Sequence, residues 1–236
     1  MPELTREAMA DGVEVEAQSL RFEATASHGE VSALLVRPAD ARALYVLAHG
    51  AGAGMSHPFM ETVSRALAAR GIATFRYQFP FMEAGRRRPD PPPIAKKTVR
   101  SAVARAAEIG LPLIAGGRSF GGRMTAYAAS GGGLPGVLGL AFLGFPLHAP
   151  GRDSTDRWGP MIDVGLPMLF LQGDRDRLAN LDLLRPVVEG LGQPSVLHVV
   201  EGGDHSFKVL QRSGRTEHEV LTEIADTLAR WAHELV

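Results

Sequence analysis

From residue 43 onward, short apolar runs alternate along the chain with amphipathic stretches. The runs at 43–48, 137–143 and 167–171 are apolar at nearly every position, which is typical of parallel strands covered by helices on both faces. The stretches between such runs, for example residues 58–70, place apolar side chains at helical spacing. This alternation predicts an α/β fold with three layers, built on a mostly parallel, doubly wound sheet.

Two earlier segments, residues 19–24 and 31–36, predict an N-terminal antiparallel hairpin that turns at residues 27–29. After it we predict strands at 43–48, 72–77, 112–116, 137–143, 167–171 and 196–200, and helices at 58–70, 94–109, 120–130, 178–189 and 216–235. Residues 78–93 and 146–165 are predicted to be long loops. Because neither loop is long enough for a second domain, we expect one domain over residues 1–236 without a large cap.

The composition excludes several classes of function. The chain has 25 Lys and Arg against 26 Asp and Glu, which argues against a general nucleic-acid-binding protein, since such proteins need a basic excess. It has no cysteine, so disulfides, thiolate metal sites and a cysteine nucleophile are excluded. Residues 1–10 lack the apolar core of a signal peptide, and no apolar stretch approaches the roughly 20 residues of a membrane span. We therefore expect a cytoplasmic location.

Four glycine-containing segments follow predicted strands, at the edge where open α/β sheets bind their ligands. They are residues 49–54 (HGAGAG), 117–122 (GRSFGG), 172–176 (QGDRD) and 201–205 (EGGDH). The last three supply a serine, aspartates and a histidine, in that order along the chain. We therefore look for the chemistry of the protein in these segments.

Residues 117–121 (GRSFG) match the pattern G-x-S-x-G between a predicted strand and a predicted helix. A serine on such a sharp turn requires small residues two positions away on either side, and the following helix N-terminus favours developing negative charge. This context indicates that Ser119 is a nucleophile. The alternative is a glycine-rich turn whose serine only caps the helix.

A serine hydroxyl needs an adjacent base, and His205 follows the last predicted strand in a glycine-rich loop. The acid that orients the base should follow the preceding strand, where Asp174 and Asp176 both qualify. We favour Asp176, because its later position in the loop lets it reach towards His205, whereas Asp174 is placed to bond its own loop. Asp204 adjoins His205, but side chains of neighbouring residues diverge.

An acyl-transfer site also requires N–H donors for the oxyanion, and we predict the backbone N–H groups of Ala51 and Phe120. Residues 49–54 have a rival interpretation as a phosphate-binding loop, which is disfavoured because HGAGAG is not G-x-G-x-x-G and no Walker lysine follows. We expect His49 to brace this loop.

The specificity residues are less constrained by the sequence. Residues in the loops near the predicted site suggest an apolar acyl pocket, although the aromatic ones would equally pack the core: Met55, His57, Phe59, Phe79, Phe81 and Met82. His148 either faces the site or makes a structural hydrogen bond. The arginines at 86–88 either steer an anionic substrate or form a solvated run of charge.

These segments together resemble the α/β-hydrolases, from about residue 19 to residue 236. The chain is similar to a branch of small, cap-less predicted hydrolases that is distantly related to dienelactone hydrolases. The similarity lies in longer stretches of sequence: HGAGAGMSHPFM, FRYQFPFME, GGRSFGGRM, GFPLHAPG and LQGDRD. The resemblance implies the α/β-hydrolase fold with a Ser119, His205 and Asp176 triad. Dienelactone hydrolases use a cysteine nucleophile, which this chain lacks, so ester hydrolysis is favoured over dienelactone cleavage.

The predicted function is that of a serine hydrolase that cleaves small carboxylic esters through an acyl-enzyme, with no cofactor or metal. We expect a small-molecule acyl substrate as partner, and neither nucleic acid nor membrane. Two alternatives stay open: a non-catalytic binding protein on the same fold, and a peptidase or acyltransferase that uses the same residues.

Overall fold

The structure, a computed structural model, describes residues 15–130, 133–192 and 194–236 and the backbone of Leu4–Thr5. Its strands are β1 (Leu4–Thr5), β2 (Ala17–Thr25), β3 (Gly29–Val36), β4 (Ala43–Ala48), β5 (Ile72–Tyr77), β6 (Leu113–Arg118), β7 (Val137–Leu143), β8 (Met168–Gly173) and β9 (Ser195–Val200). Apart from β1, the first ten residues, on which the expectation about a signal peptide rests, lie outside the described residues.

The strands form one sheet in the order β1-β2-β3-β5-β4-β6-β7-β8-β9. The N-terminal hairpin of β2 and β3 is antiparallel, and β3 also runs antiparallel to β5. From β5 to β9 every neighbouring pair is parallel. The predicted fold class is therefore confirmed, and the loops after β4, β6, β8 and β9 leave the sheet at the same edge.

Helices cover both faces of the sheet, which gives the fold its three layers. They are α1 (Pro58–Ala68), α2 (Pro80–Glu83), α3 (Pro92–Ala107), α4 (Phe120–Ala129), α5 (Leu181–Glu189) and α6 (Glu217–Glu234), with short 3₁₀ turns at Gly159–Met161 and Gln211–Ser213. No helix in the described ranges is long and apolar enough to cross a membrane.

Alternate residues of the central strands enter two separate cores. In β8, Phe170 packs on the side of α3, α4 and α5, whereas Leu169 and Leu171 pack on the side of α1 and α6. On each face, the burial of apolar area stabilises the folded state by roughly 25 cal/mol per Å². This two-sided burial explains why the strands are apolar at nearly every position.

Two helices begin where the sequence predicts a loop. Residues 78–93 contain α2 and the first residues of α3, and each helix carries proline in its first turn. Proline interrupts a helix interior, but its fixed φ suits the first turn, where the missing N–H leaves no bond unmade. Conversely, α5 begins at Leu181 rather than at residue 178, because the Asn180 side chain caps it by accepting from the Asp182 N–H.

Candidate active site

Ser119 occupies a strained turn between β6 and α4, with φ 49° and ψ −114°. A positive φ in a residue other than glycine costs roughly 1–3 kcal/mol and is concentrated at functional sites. The turn is also crowded: a Cβ atom on Gly117 would lie 2.3 Å from the Ala48 carbonyl oxygen, and one on Gly121 would lie 2.5 Å from that of His49. The G-x-S-x-G spacing is therefore required by the close approach of the backbone of β4.

A chain of hydrogen bonds links Ser119 to His205 and Asp176. The Ser119 Oγ lies 2.8 Å from His205 Nε2, and His205 Nδ1 lies 2.7 Å from Asp176 Oδ2. Asp176 is buried, whereas His205 is partly exposed. The structure thus brings together three residues from the loops after β6, β8 and β9. Asp174, the alternative acid, has an exposed side chain.

A buried side-chain amide, which the sequence motifs did not indicate, supports this chain of hydrogen bonds. Gln172 Nε2 donates to Asp176 Oδ2 at 2.5 Å, and Gln172 Oε1 accepts from the Phe145 N–H at 2.9 Å. The other carboxylate oxygen, Oδ1, accepts from the Leu178 N–H at 2.7 Å. The available signal was a lone polar residue at the end of an otherwise apolar strand, directly before the acidic loop.

The turn that carries His205 is organised by its neighbour Asp204. The Asp204 Oδ1 atom accepts from the backbone N–H groups of Ser206, at 2.7 Å, and Lys208, at 3.0 Å. Phe207, which completes the turn, adopts φ 61° and is buried. Asp204 therefore shapes the loop and holds the backbone that presents His205.

His49 is fully buried at the start of the loop 49–54. Burial lowers the pKa of His49 to about 4, so the ring is neutral at pH 7. Its Nε2 accepts from the Phe79 N–H at 3.0 Å, which leaves Nδ1 to donate to the Gly50 carbonyl oxygen at 2.7 Å. These bonds tie the loop to the chain after β5 and hold Ala51 on the wall of the cleft that contains Ser119.

The cleft measures about 610 Å³ and is lined by the loop 50–53, the start of α1 and residues 205–208. Ser119 and His205 both face it, and Phe59 contributes an aromatic wall that stacks on Phe207 with centroids 6.0 Å apart. In the ranges that the structure describes, His, Asp and Glu side chains form no group of three that could hold a metal ion.

Phe59, one of the residues suggested for the acyl pocket, lines this cleft, and so does His57. His57 caps α1, where its Nδ1 accepts from the Phe59 N–H at 3.2 Å. Burial lowers the pKa of His57, and the nearby cations Arg118 and Lys208 lower it further.

The structure places Phe81, Met55 and His148, which were also suggested near the site, in packed, structural positions. Phe81 has no exposed surface and packs against Phe79 and Phe120, because α2 turns it into the core. Met55 is buried, and its backbone N–H donates to Gln78 Oε1. His148 is buried in a separate depression, where its Nε2 accepts from the Asn180 N–H at 2.8 Å. None of the three lines the cleft, which corrects the suggestion for Phe81 and Met55, and His148 takes the structural role that was one of its two expected alternatives.

The arginines at 86–88 are also separate from the cleft. Arg86 pairs with the buried Asp90 at 2.9 Å, and Asp90 in turn accepts from the Phe81 N–H. Arg87 and Arg88 are exposed. The run is therefore partly a structural ion pair and otherwise solvated.

Comparison with known proteins places this geometry in a family. The profile of the alpha/beta hydrolase domain matches residues 41–233. Among solved structures, a dienelactone hydrolase from Anabaena variabilis aligns at 19% identity with a TM-score of 0.73, covering 93% of this chain and 99% of that chain. A serine hydrolase without a lid from Xanthomonas campestris aligns at 21% identity with a TM-score of 0.70, covering 91% and 94%.

The esterase domain of a Rhodothermus marinus protein gives a similar result, with 17% identity, a TM-score of 0.70 and coverage of 92% and 98%. At these identities the likeness concerns the fold, whereas the family match extends over most of the chain. The resemblance drawn from the sequence is thus confirmed. The chain belongs to the alpha/beta hydrolase domain family, and we identify the protein as a hydrolase of that family.

Proposed function

We propose that the protein is a serine hydrolase that cleaves small carboxylic esters through an acyl-enzyme intermediate. The observation that carries this proposal is the hydrogen-bonded chain from Ser119 Oγ through His205 to Asp176, which opens onto the cleft. The strained backbone at Ser119 supports it, because strain of this kind presents a nucleophile at the end of a strand.

In the first step the Ser119 oxygen attacks the ester carbonyl carbon while His205 Nε2 accepts the serine proton. The bond between the carbonyl carbon and the alcohol oxygen then breaks, and the imidazolium returns the proton to the leaving alcohol. Asp176, which bonds Nδ1, keeps the ring in the required orientation and stabilises its charged form. Water, deprotonated by His205, releases the acid in the second step.

The tetrahedral intermediate carries a negative oxygen that requires donors held in place beforehand. We assign this role to the backbone N–H of Phe120, at the N-terminus of α4, and that of Ala51 on the opposite wall. The positive end of the α4 dipole favours the same charge. The bonds of His49 support the assignment, since they tie the loop of Ala51 directly to the chain after β5.

A fluorophosphonate probe tests the nucleophile directly. We expect wild-type protein to be labelled at Ser119, and Ser119→Ala to remain unlabelled. Ser56→Ala, which changes an exposed serine in a neighbouring loop, is the control and should label like wild type. Equal labelling of wild type and Ser119→Ala would refute the serine mechanism and favour a binding protein.

A substrate panel tests the bond that is cleaved. We expect 4-nitrophenyl esters of short acids to be hydrolysed faster than matched anilides and thioesters. The known structures with this fold include proteins described as esterases, which supports the ester over the amide. Faster cleavage of the anilides would instead identify a peptidase.

A further inference from the structure

We infer that this active site takes esters that carry a negative charge, bound by Arg118 and Lys208 beside Ser119. The inference rests on the proposed function and names its substrate class. The anion is a carboxylate or a phosphate group on the substrate, two groups that share the same recognition by cations.

Arg118, which directly precedes Ser119, is held as a preorganised cation on the wall of the cleft. Its Nη2 donates to Ser206 Oγ at 2.8 Å, and the centre of the guanidinium lies 4.5 Å from the centroid of the Phe59 ring. Phe59 is itself fixed by stacking on Phe207. Within the described residues, the Nε and Nη1 atoms of Arg118 have no protein acceptor, so they remain available to a ligand.

Lys208 adds a second positive charge to the same cleft. His57, Arg118 and Lys208 all line this cleft, and the two cations lower the pKa of His57. We call His57, Arg118 and Lys208 the charged rim. In the part of the chain that the structure describes, neither Arg118 nor Lys208 forms an ion pair with a carboxylate.

The acidic groups near the charged rim are Asp204 and Glu217. Asp204 stabilises the charge of Arg118, but its Oδ1 accepts from the N–H groups of Ser206 and Lys208. Glu217, in the exposed first turn of α6, lines the cleft. Burial lowers the pKa of Arg118, which means that removal from water disfavours its charge. A substrate anion would offset that cost with charge-assisted hydrogen bonds.

The test compares two esters with acyl chains of equal carbon number, 4-nitrophenyl hemiglutarate and 4-nitrophenyl valerate. They differ by a terminal carboxylate in place of a methyl group. The measured quantity is the ratio of their kcat/KM values after subtraction of the uncatalysed rate, because this ratio does not depend on the fraction of active enzyme. We expect the wild-type ratio to exceed one and to fall as salt is added, since salt screens charge.

Two variants assign the preference to the charged rim. Arg118→Gln should lower the ratio about tenfold, the effect of losing a hydrogen bond to a charged group. Lys208→Gln, at an exposed side chain without a bonded partner in the described residues, should lower it about threefold without affecting folding. Arg88→Gln, which removes an exposed arginine from residues 86–88, is the matched control and should leave the ratio unchanged.

The outcomes separate this inference from the proposed function. A wild-type ratio of one or less, or a ratio unchanged in both variants, overturns the inference while valerate hydrolysis and labelling of Ser119 preserve the proposed function. Loss of both hydrolysis and labelling overturns the proposed function instead. Competitive inhibition of valerate hydrolysis by glutarate or by inorganic phosphate identifies which anion the charged rim binds, and inhibition by neither overturns the inference.

Discussion

The residues behind Ser119 and the residues in front of it differ in burial and in hydrogen bonding. His49, Gln172 and Asp176, which we call the buried support, are at most 6% exposed, and each makes at least two hydrogen bonds. The charged rim is partly exposed and keeps donors that no described residue uses. Fixed polar groups suit the chemistry, because they cost no reorganisation during reaction. Charged groups with unused donors suit the selection of substrate, because a substrate can bond to them.

The largest expected effect comes from the acid of the buried support. Asp176→Asn should lower kcat by about 10⁴-fold on every ester, since an amide in this position favours the wrong tautomer of the base. Asp174→Asn, two residues away and exposed, is the matched control and should keep wild-type kcat. Steady-state rates per mole of folded protein, with the fold checked by circular dichroism, measure both. A larger loss in Asp174→Asn would reverse the assignment of the acid.

His49 makes the free energy of unfolding depend on pH. Its pKa is about 4 in the folded protein and 6.5 in the unfolded chain, so the unfolded state binds more protons between these values. The free energy of unfolding should therefore fall as pH drops from 6.5 to 4, by about 3 kcal/mol from this residue. Urea unfolding at pH 7 and pH 4.5 should show a smaller loss in His49→Gln than in wild type. Equal losses would contradict this origin.

A smaller effect distinguishes the buried support from the charged rim. Gln172→Leu removes one donor from Asp176, and we expect kcat to fall about tenfold with KM unchanged. The fall should be equal for valerate and hemiglutarate esters, whereas Lys208→Gln should lower kcat/KM for the hemiglutarate ester more than for the valerate ester. If Gln172→Leu altered the ratio, or raised KM alone, the two regions would not have separate roles.

Much of the fold was predictable because the local signals agreed with the tertiary structure. The strands 43–48, 72–77 and 137–143 have the predicted bounds, since each apolar run ends at a turn. The prediction was wrong over residues 78–93, where prolines begin α2 and α3. A proline in the sequence can either end a helix or begin one, and the packing of the following residues decides which occurs.

The candidate site divides in the same way. The sequence alone indicated the tight turn at Ser119, because the G-x-S-x-G pattern lies in one short segment between a predicted strand and a predicted helix. It also determined the chain order of serine, aspartate and histidine. The tertiary structure was needed to show that Gln172 accepts from the Phe145 N–H, that Arg118 packs on Phe59, and that Phe81 and His148 are buried away from the cleft. Such contacts join loops that are distant in sequence, and they form only because parallel strands bring their carboxyl ends to one edge of the sheet.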